Sequence, residues 1–227
     1  MKLLALDTAA NLCSVAVFDV ETGVVLASNS EDIGKGHAER LMGAIEQTLH
    51  GAAVELTDIG RIAVSVGPGS FTGVRVGVST ARGFALVLKC PVIGISTLQA
   101  LAFDGARTFP GRPVLSIIDA RRDEVYAQFY GKDGVAISKP MVTDLPAILD
   151  ELAGRDMVLS GSGALLVNEG RDKPFDVATT EATGSIEAFA RLGAAGEPPA
   201  EAPKPLYLRG LDVKPQQGFV MQRKLTE

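Results

Sequence analysis

The chain has 227 residues, 46% of them hydrophobic, enough to bury a full core as one large domain or two small lobes. Its 22 basic and 27 acidic residues leave a formal net charge of -5. That balance excludes a global positive field drawing the chain onto nucleic acid or anionic lipid, so any RNA in its biology is expected to be held elsewhere.

The amino terminus, MKLLALDT, holds a short apolar run before Asp7, far short of a signal-peptide core. The most apolar later stretch, residues 84–95, is broken by Lys89 and Pro91 and is not expected to span a bilayer. Cys13 and Cys90 stand in apolar contexts without CxxC or metal-knuckle spacing, so buried thiols in a reducing cytoplasm are the expectation.

In chain order, apolar β-rich runs at 2–7 and 12–19 flank the polar turn Thr8-Ala9-Ala10-Asn11, and a third run follows at 24–28, predicting a three-stranded meander. Leu41, Ala44, Ile45, Thr48 and Leu49 keep helical spacing and predict an amphipathic helix over 37–50. A buried-type strand at 62–66 runs into the turn GPGSFTG, a long helix is expected over 74–89, and Pro91 ends it before a strand at 92–95.

The second half repeats the plan. A strand at 114–118 ends in Asp119, a polar turn leads to a strand at 124–130, and a short run follows at 135–138. Aligning Asp7 with Asp119 brings Gly23 within one residue of Gly134, as an internal repeat of a supersecondary unit does. Strand plus Gly turn recurs as well, since AVSVGPG at 63–69 is echoed by MVLSGSG at 157–163. A strand meander followed by alternating helices and strands, occurring twice, predicts an α/β, duplicated ribonuclease-H-like fold of the actin/hsp70/sugar-kinase type with two mixed-sheet lobes. The lobes are expected at 1–105 and 106–227, with a Pro- and Ala-rich tail crossing from about 196.

Nucleotide-binding members of that superfold need glycine in the turn after the first strand's acidic residue, because backbone N–H groups must approach the phosphates closely. Here Asp7 and Thr8 open a turn with no glycine, and Asp119-Ala120-Arg121-Arg122 shows the same loss in the second lobe. Asp7 also has a simpler reading, as a side chain that caps its own turn. Gly67, Gly69, Ser70, Thr72 and Gly73 form a second candidate, either an anion-binding turn opening a helix or a tight strand-to-helix turn with Thr72 as N-cap. Gly73 and Gly77, four apart on a helix apolar almost all round, are expected to leave a groove for another helix. With only His37 and His50 present, thirteen apart, no HxxxH or HExxH exists, and no metal site is expected.

The stretches LALDTAANLCSVAVFD, GHAERL, VSVGPGSFTGVRVGVSTARGFAL, IDARRDEVYAQFY and PLYLR together resemble the TsaB (YeaZ) family, the dimerisation subunit of the bacterial threonylcarbamoyl-adenosine tRNA-modification machinery. GPGSFTGVRVG is the most specific block, and the match is weakest between about 135 and 200. The resemblance implies a non-catalytic scaffold partnering a TsaD-like catalytic subunit and a TsaE-like ATPase for modification of adenosine 37 in tRNA. It implies no cofactor of its own, with ATP used by the partner subunits and tRNA met only through the complex. It also places the partner surface on the two N-lobe helices, with Leu41, Ile45, Val74 and Val78 as candidate contacts and His37 as a helix-start or interface residue, although the four apolar residues read equally well as ordinary core positions. A homodimer through the same helices is expected when the partner is absent, because an exposed apolar groove invites occupancy. The alternative, an autonomous ATPase or acyltransferase, rests on the retained Asp7, Asp119 and the GPGS turn.

Overall fold

The computed structural model describes residues 1–209. The first half folds as β1 (Lys2–Asp7), β2 (Leu12–Asp19), β3 (Val24–Asp32), α1 (His37–Ala52), a 3-10 turn, β4 (Ile59–Gly67), α2 (Phe71–Leu88) and β5 (Val92–Ser96). The second follows as α3 (Thr97–Thr108), β6 (Val114–Arg121), β7 (Glu124–Tyr130), β8 (Met141–Asp144), α4 (Leu145–Glu151), β9 (Val158–Ser160), α5 (Ala164–Asn168), β10 (Asp176–Thr179) and α6 (Ile186–Ala195).

Two five-stranded sheets result, ordered β3-β2-β1-β4-β5 and β10-β9-β6-β7-β8. Read from the opposite edge, the second is the first again. β6 and β1 each pair antiparallel with the following strand and parallel with the fourth strand of their half. This is the duplicated ribonuclease-H-like, actin/hsp70/sugar-kinase architecture that the internal repeat predicts. One strand of the repeat is misplaced in that reading. The run at 135–138 makes a single bridge, Tyr130 to Ala136, with Val135 and Ile137 exposed, and the third strand is β8. The cause is local: a tight turn donates the Gly131 N–H to the Val135 carbonyl, and Ser138 accepts the Phe129 N–H that a strand there would need.

Helices cover both faces of the first sheet, which explains why β1 is an unbroken apolar run rather than an alternating one. Leu4 and Leu6 of β1 pack with Leu41 and Ile45 of α1 and Val74 and Val78 of α2, while Leu3 and Ala5 pack on the other face with Ala188, Phe189 and Ala190 of α6. Full burial of Phe189 is worth roughly 2 kcal/mol to this docking. α6 is held at both ends. Ser185 accepts the Ala188 N–H at its start, and Arg61 Nη1 donates to the carbonyls of Gly193, Ala194 and Gly196 at its finish.

The two halves exchange helices. α3 follows the first sheet yet packs Ala102 and Leu101 with Val114, Val158 and Ile118 of the second, whereas α6 follows the second sheet and packs on the first. A boundary between 105 and 106 therefore falls inside α3, and the chain has returned to the first lobe by 186 rather than from about 196. The α2 start also differs. Ser70, not Thr72, is the N-cap, its Oγ accepting the Gly73 N–H at 3.2 Å, so the helix begins at Phe71 instead of 74. No helix among the described residues is long and apolar enough to cross a membrane.

Candidate functional site

The β1–β2 turn is where a nucleotide-binding member of this architecture would receive phosphate, and here it is filled by protein. Asp7 at the end of β1 is completely buried. Its Oδ1 accepts the Ala9 N–H at 2.9 Å, which is the turn-capping bond, and its Oδ2 accepts the Thr183 hydroxyl at 2.7 Å from the loop that precedes α6. Burial pushes this carboxyl above the ordinary carboxylate range, and hydrogen bonds from Ser65, Thr183 and the Ala9 amide, with His37 nearby, oppose that only in part. Thr8 is buried too, donating its hydroxyl to the Gly73 carbonyl at 2.7 Å.

The GPGSFTG turn closes over these residues. The Ser70 N–H donates to the Ala9 carbonyl at 2.7 Å, so an amide that could face an anion is already satisfied. A Cβ on Gly69 would lie 2.2 Å from the Ala9 carbonyl oxygen, and one on Gly73 2.0 Å from that of Thr8. The glycines of this turn are thus required for contact with the first hairpin. Gly77 is met the same way by the Thr8 hydroxyl, so the groove expected between Gly73 and Gly77 is taken by the β1–β2 turn and not by another helix.

The second hairpin keeps the same cap and little else. Asp119 Oδ1 accepts the Arg121 N–H at 2.7 Å, matching the Asp7 bond to Ala9, but the Asp119 side chain is partly exposed. Arg121, Arg122 and Asp123 all take left-handed backbone, with φ of 64, 58 and 60, a conformation costing non-glycine residues about 1–2 kcal/mol each. Arg121 is largely exposed and pairs with its own Asp119.

The candidate partner contacts land in the core. Leu41, Ile45, Val74 and Val78 are 1–4% exposed and belong to the cluster beneath the first sheet. His37 is buried, its Nε2 within hydrogen-bonding distance of the Leu12 carbonyl at 3.2 Å. These five side chains are turned inward because the sheet lies on that side, so they form little accessible surface of this chain, although Ile45 also reaches the wall of a groove between α1 and α2. The opposite faces of the same helices carry what the sequence reading missed. Leu86 is 82% exposed and Val87 77%, and Met42 and Phe71 are also exposed. Between the two helices a groove of about 680 Å³ is lined by Met42, Ile45, Leu49, Val54, Leu56 and Phe84. Arg75 and Arg82 stand along the exposed stripe of α2, and Glu39 and Glu46 along that of α1. The signal for this face was present in the apolar perimeter of 74–89, since a helix apolar all round and covered on one side must show apolar residues on the other.

Among the described residues, no three His, Cys, Asp or Glu side chains gather in a way that could hold a metal. Ser70 has its hydroxyl engaged as a cap, and His50 lies exposed in the last turn of α1.

Residues 26–164, more than half of the chain, match the family model described as TsaD, tRNA N6-adenosine threonylcarbamoyltransferase. The tRNA threonylcarbamoyladenosine biosynthesis protein TsaB of Escherichia coli (strain K12) is 40% identical over 133 residues, 59% of this chain and 56% of that protein. Its namesake in Bacillus subtilis (strain 168) is 37% identical over 130 residues, 57% of this chain and 55% of that protein. The chain thus spans a little over half the length of the curated relatives it matches. A Pseudomonas aeruginosa structure described as an uncharacterised protein with similarity to peptidase YEAZ superposes with a TM-score of 0.77 at 32% identity, covering 92% of this chain and 99% of that one. YeaZ from Pseudomonas aeruginosa gives 0.71 at 31% identity, with 86% and 91% covered. By its fold, by the family model and by these relatives, the chain belongs to the TsaB (YeaZ) family, within the wider group that the TsaD threonylcarbamoyltransferase model defines.

Proposed function

We propose that this protein is a non-catalytic scaffold subunit in tRNA threonylcarbamoyladenosine biosynthesis, pairing with a TsaD-like subunit that uses ATP and working beside a TsaE-like ATPase. The observation that carries the reading is the filled hairpin. Phosphate binding at the β1–β2 turn needs open backbone amides, and here the Ala9 amide bonds Asp7 while the Ser70 amide bonds Ala9. A wholly buried Asp7, tied to Thr183, is likewise turned away from any magnesium-bound nucleotide. On this reading ATP belongs to the partner subunits, tRNA is met through the assembled complex, and the place of work is the cytoplasm.

The exposed α1–α2 face supports a docking role. Leu86 and Val87 are exposed on α2, whose Phe84 lines an apolar groove, with Arg75 and Arg82 along that helix and Glu39 and Glu46 along α1, a surface able to receive a helical pair of complementary charge or, without a partner, a second copy of this chain. The test is size-exclusion chromatography of the purified chain with its TsaD-like subunit, with ATP and the TsaE-like ATPase added. A shared peak that Leu86→Glu with Val87→Glu abolishes is expected. Separate elution under all these conditions sinks the proposal.

The autonomous ATPase or acyltransferase and the peptidase named in one relative's description lack a comparable observation. Neither retained aspartate faces an open glycine turn, and the Ser70 hydroxyl is held by Gly73.

A further inference from the structure

The segment from Pro203 to Arg209 touches both lobes in succession. Pro203 packs on Gly94, where its Cβ would lie 2.8 Å from a side chain placed at that glycine. The Leu206 N–H donates to the Val66 carbonyl at 2.7 Å, extending the end of β4 by one bond. The Tyr207 ring packs at a 39° tilt against Phe71 with centroids 5.5 Å apart, and its hydroxyl accepts from Arg75 Nε at 2.8 Å while the Arg75 guanidinium lies 3.6 Å from the Phe71 centroid. These contacts belong to the first lobe. At the next residue the attachments change sides: Leu208 packs with Leu98, Leu101, Ile118 and Tyr126, and Arg209 pairs with Glu124 at the start of β7.

We infer that residues 203–209 form an intramolecular strap that bridges the two lobes and fixes the angle between their sheets. Two-lobed folds joined by crossing helices hinge by default, and a bound ligand commonly holds them closed. Here the chain supplies that closure from its own tail, with successive anchors of different chemistry. The last two, the Leu208 packing and the Arg209–Glu124 pair, hold the strap to the second lobe. The consequence is that the α1–α2 face and the β6–β7 hairpin tip keep one mutual orientation without a ligand.

The inference does not depend on what the protein assembles with, and its test uses the isolated full chain. With Cys90 replaced by Ala, spin labels at exposed Glu46 on α1 and Leu165 on α5 report the interlobe distance distribution. The strapped chain is expected to give a single narrow distribution, and Arg209→Glu to broaden it roughly twofold or add a longer population, as release of a hinge does. Leu208→Ala, which leaves the ion pair in place, is expected to broaden it less. The reciprocal exchange Arg209→Glu with Glu124→Arg restores the narrow distribution. An unchanged distribution in both single variants overturns the strap, and so does a reciprocal exchange that fails to restore it.

Discussion

The hairpins that open the two sheets share antiparallel pairing and a capping aspartate, yet their glycine-free turns are accommodated in opposite ways. At Thr8-Ala9 the turn is buried, and two glycines of another segment close over it at distances that admit no Cβ. At Arg121-Arg122-Asp123 the turn stays at the surface, in three consecutive left-handed conformations that glycine would take without cost. In the first hairpin a core contact stands where a nucleotide-binding member would hold phosphate, and the requirement for glycine lies at residues 69 and 73 rather than at 8–11. The second kept the shape of a tight turn and lost only the residues that make it comfortable. A glycine-rich motif is therefore no guide to ligand binding until its near neighbours are known.

The contrast can be broken experimentally, and the largest effect is expected at Gly73. Gly73→Ala drives a methyl into the Thr8 carbonyl and should cost about 3 kcal/mol or more in urea unfolding. Gly83→Ala in the same helix meets nothing within 4 Å and should stabilise by about 0.5–1 kcal/mol. Equal effects of the two would remove the close-packing account of the turn.

Next comes Asp7. Its folded carboxyl holds a proton to higher pH than in the unfolded chain, so its contribution is most favourable below the unfolded value of about 3.9 and is lost as pH rises through the raised folded value. Asp7→Asn cannot ionise. The stability of the parent relative to this variant should therefore fall between about pH 4 and the folded value and then level off, read from urea midpoints across that range. A parent advantage that grows with pH contradicts the burial argument.

Smaller effects separate the caps and the turns. Ser70→Ala should cost about 1 kcal/mol by removing the bond to the Gly73 N–H, while Thr72→Ala should change thermal stability little. Arg121→Gly should stabilise by about 0.5–1 kcal/mol, because relief of left-handed strain exceeds the loss of an exposed pair with Asp119. A destabilised glycine variant in thermal unfolding would show that the β6–β7 tip is held by more than its backbone.

Much of the scaffold was legible in the sequence. The largely apolar runs at 3–6 and 114–118, each followed by an aspartate, exposed the repeat, and the 3.6-residue spacing found α1. What escaped depends on distant partners. Nothing local to Thr8 or Gly73 announces a 2.7 Å bond between residues 65 apart, so the turn read equally well as an anion cradle. Periodicity found apolar positions such as Leu41 and Val78, but which side of a helix a sheet will cover is a tertiary fact, and it decides for the core reading of these residues over the partner-surface one. α6 keeps helical spacing at Ile186, Phe189, Ala190 and Gly193, but its docking on the first sheet, with Gly193 against Ala63, is set by a distant partner.

If the first hairpin has no room for a nucleotide, isothermal titration of Mg-ATP into the isolated chain gives no saturable heat up to about 1 mM nucleotide. Saturable binding tighter than about 10 μM, abolished by Asp7→Ala, would contradict it.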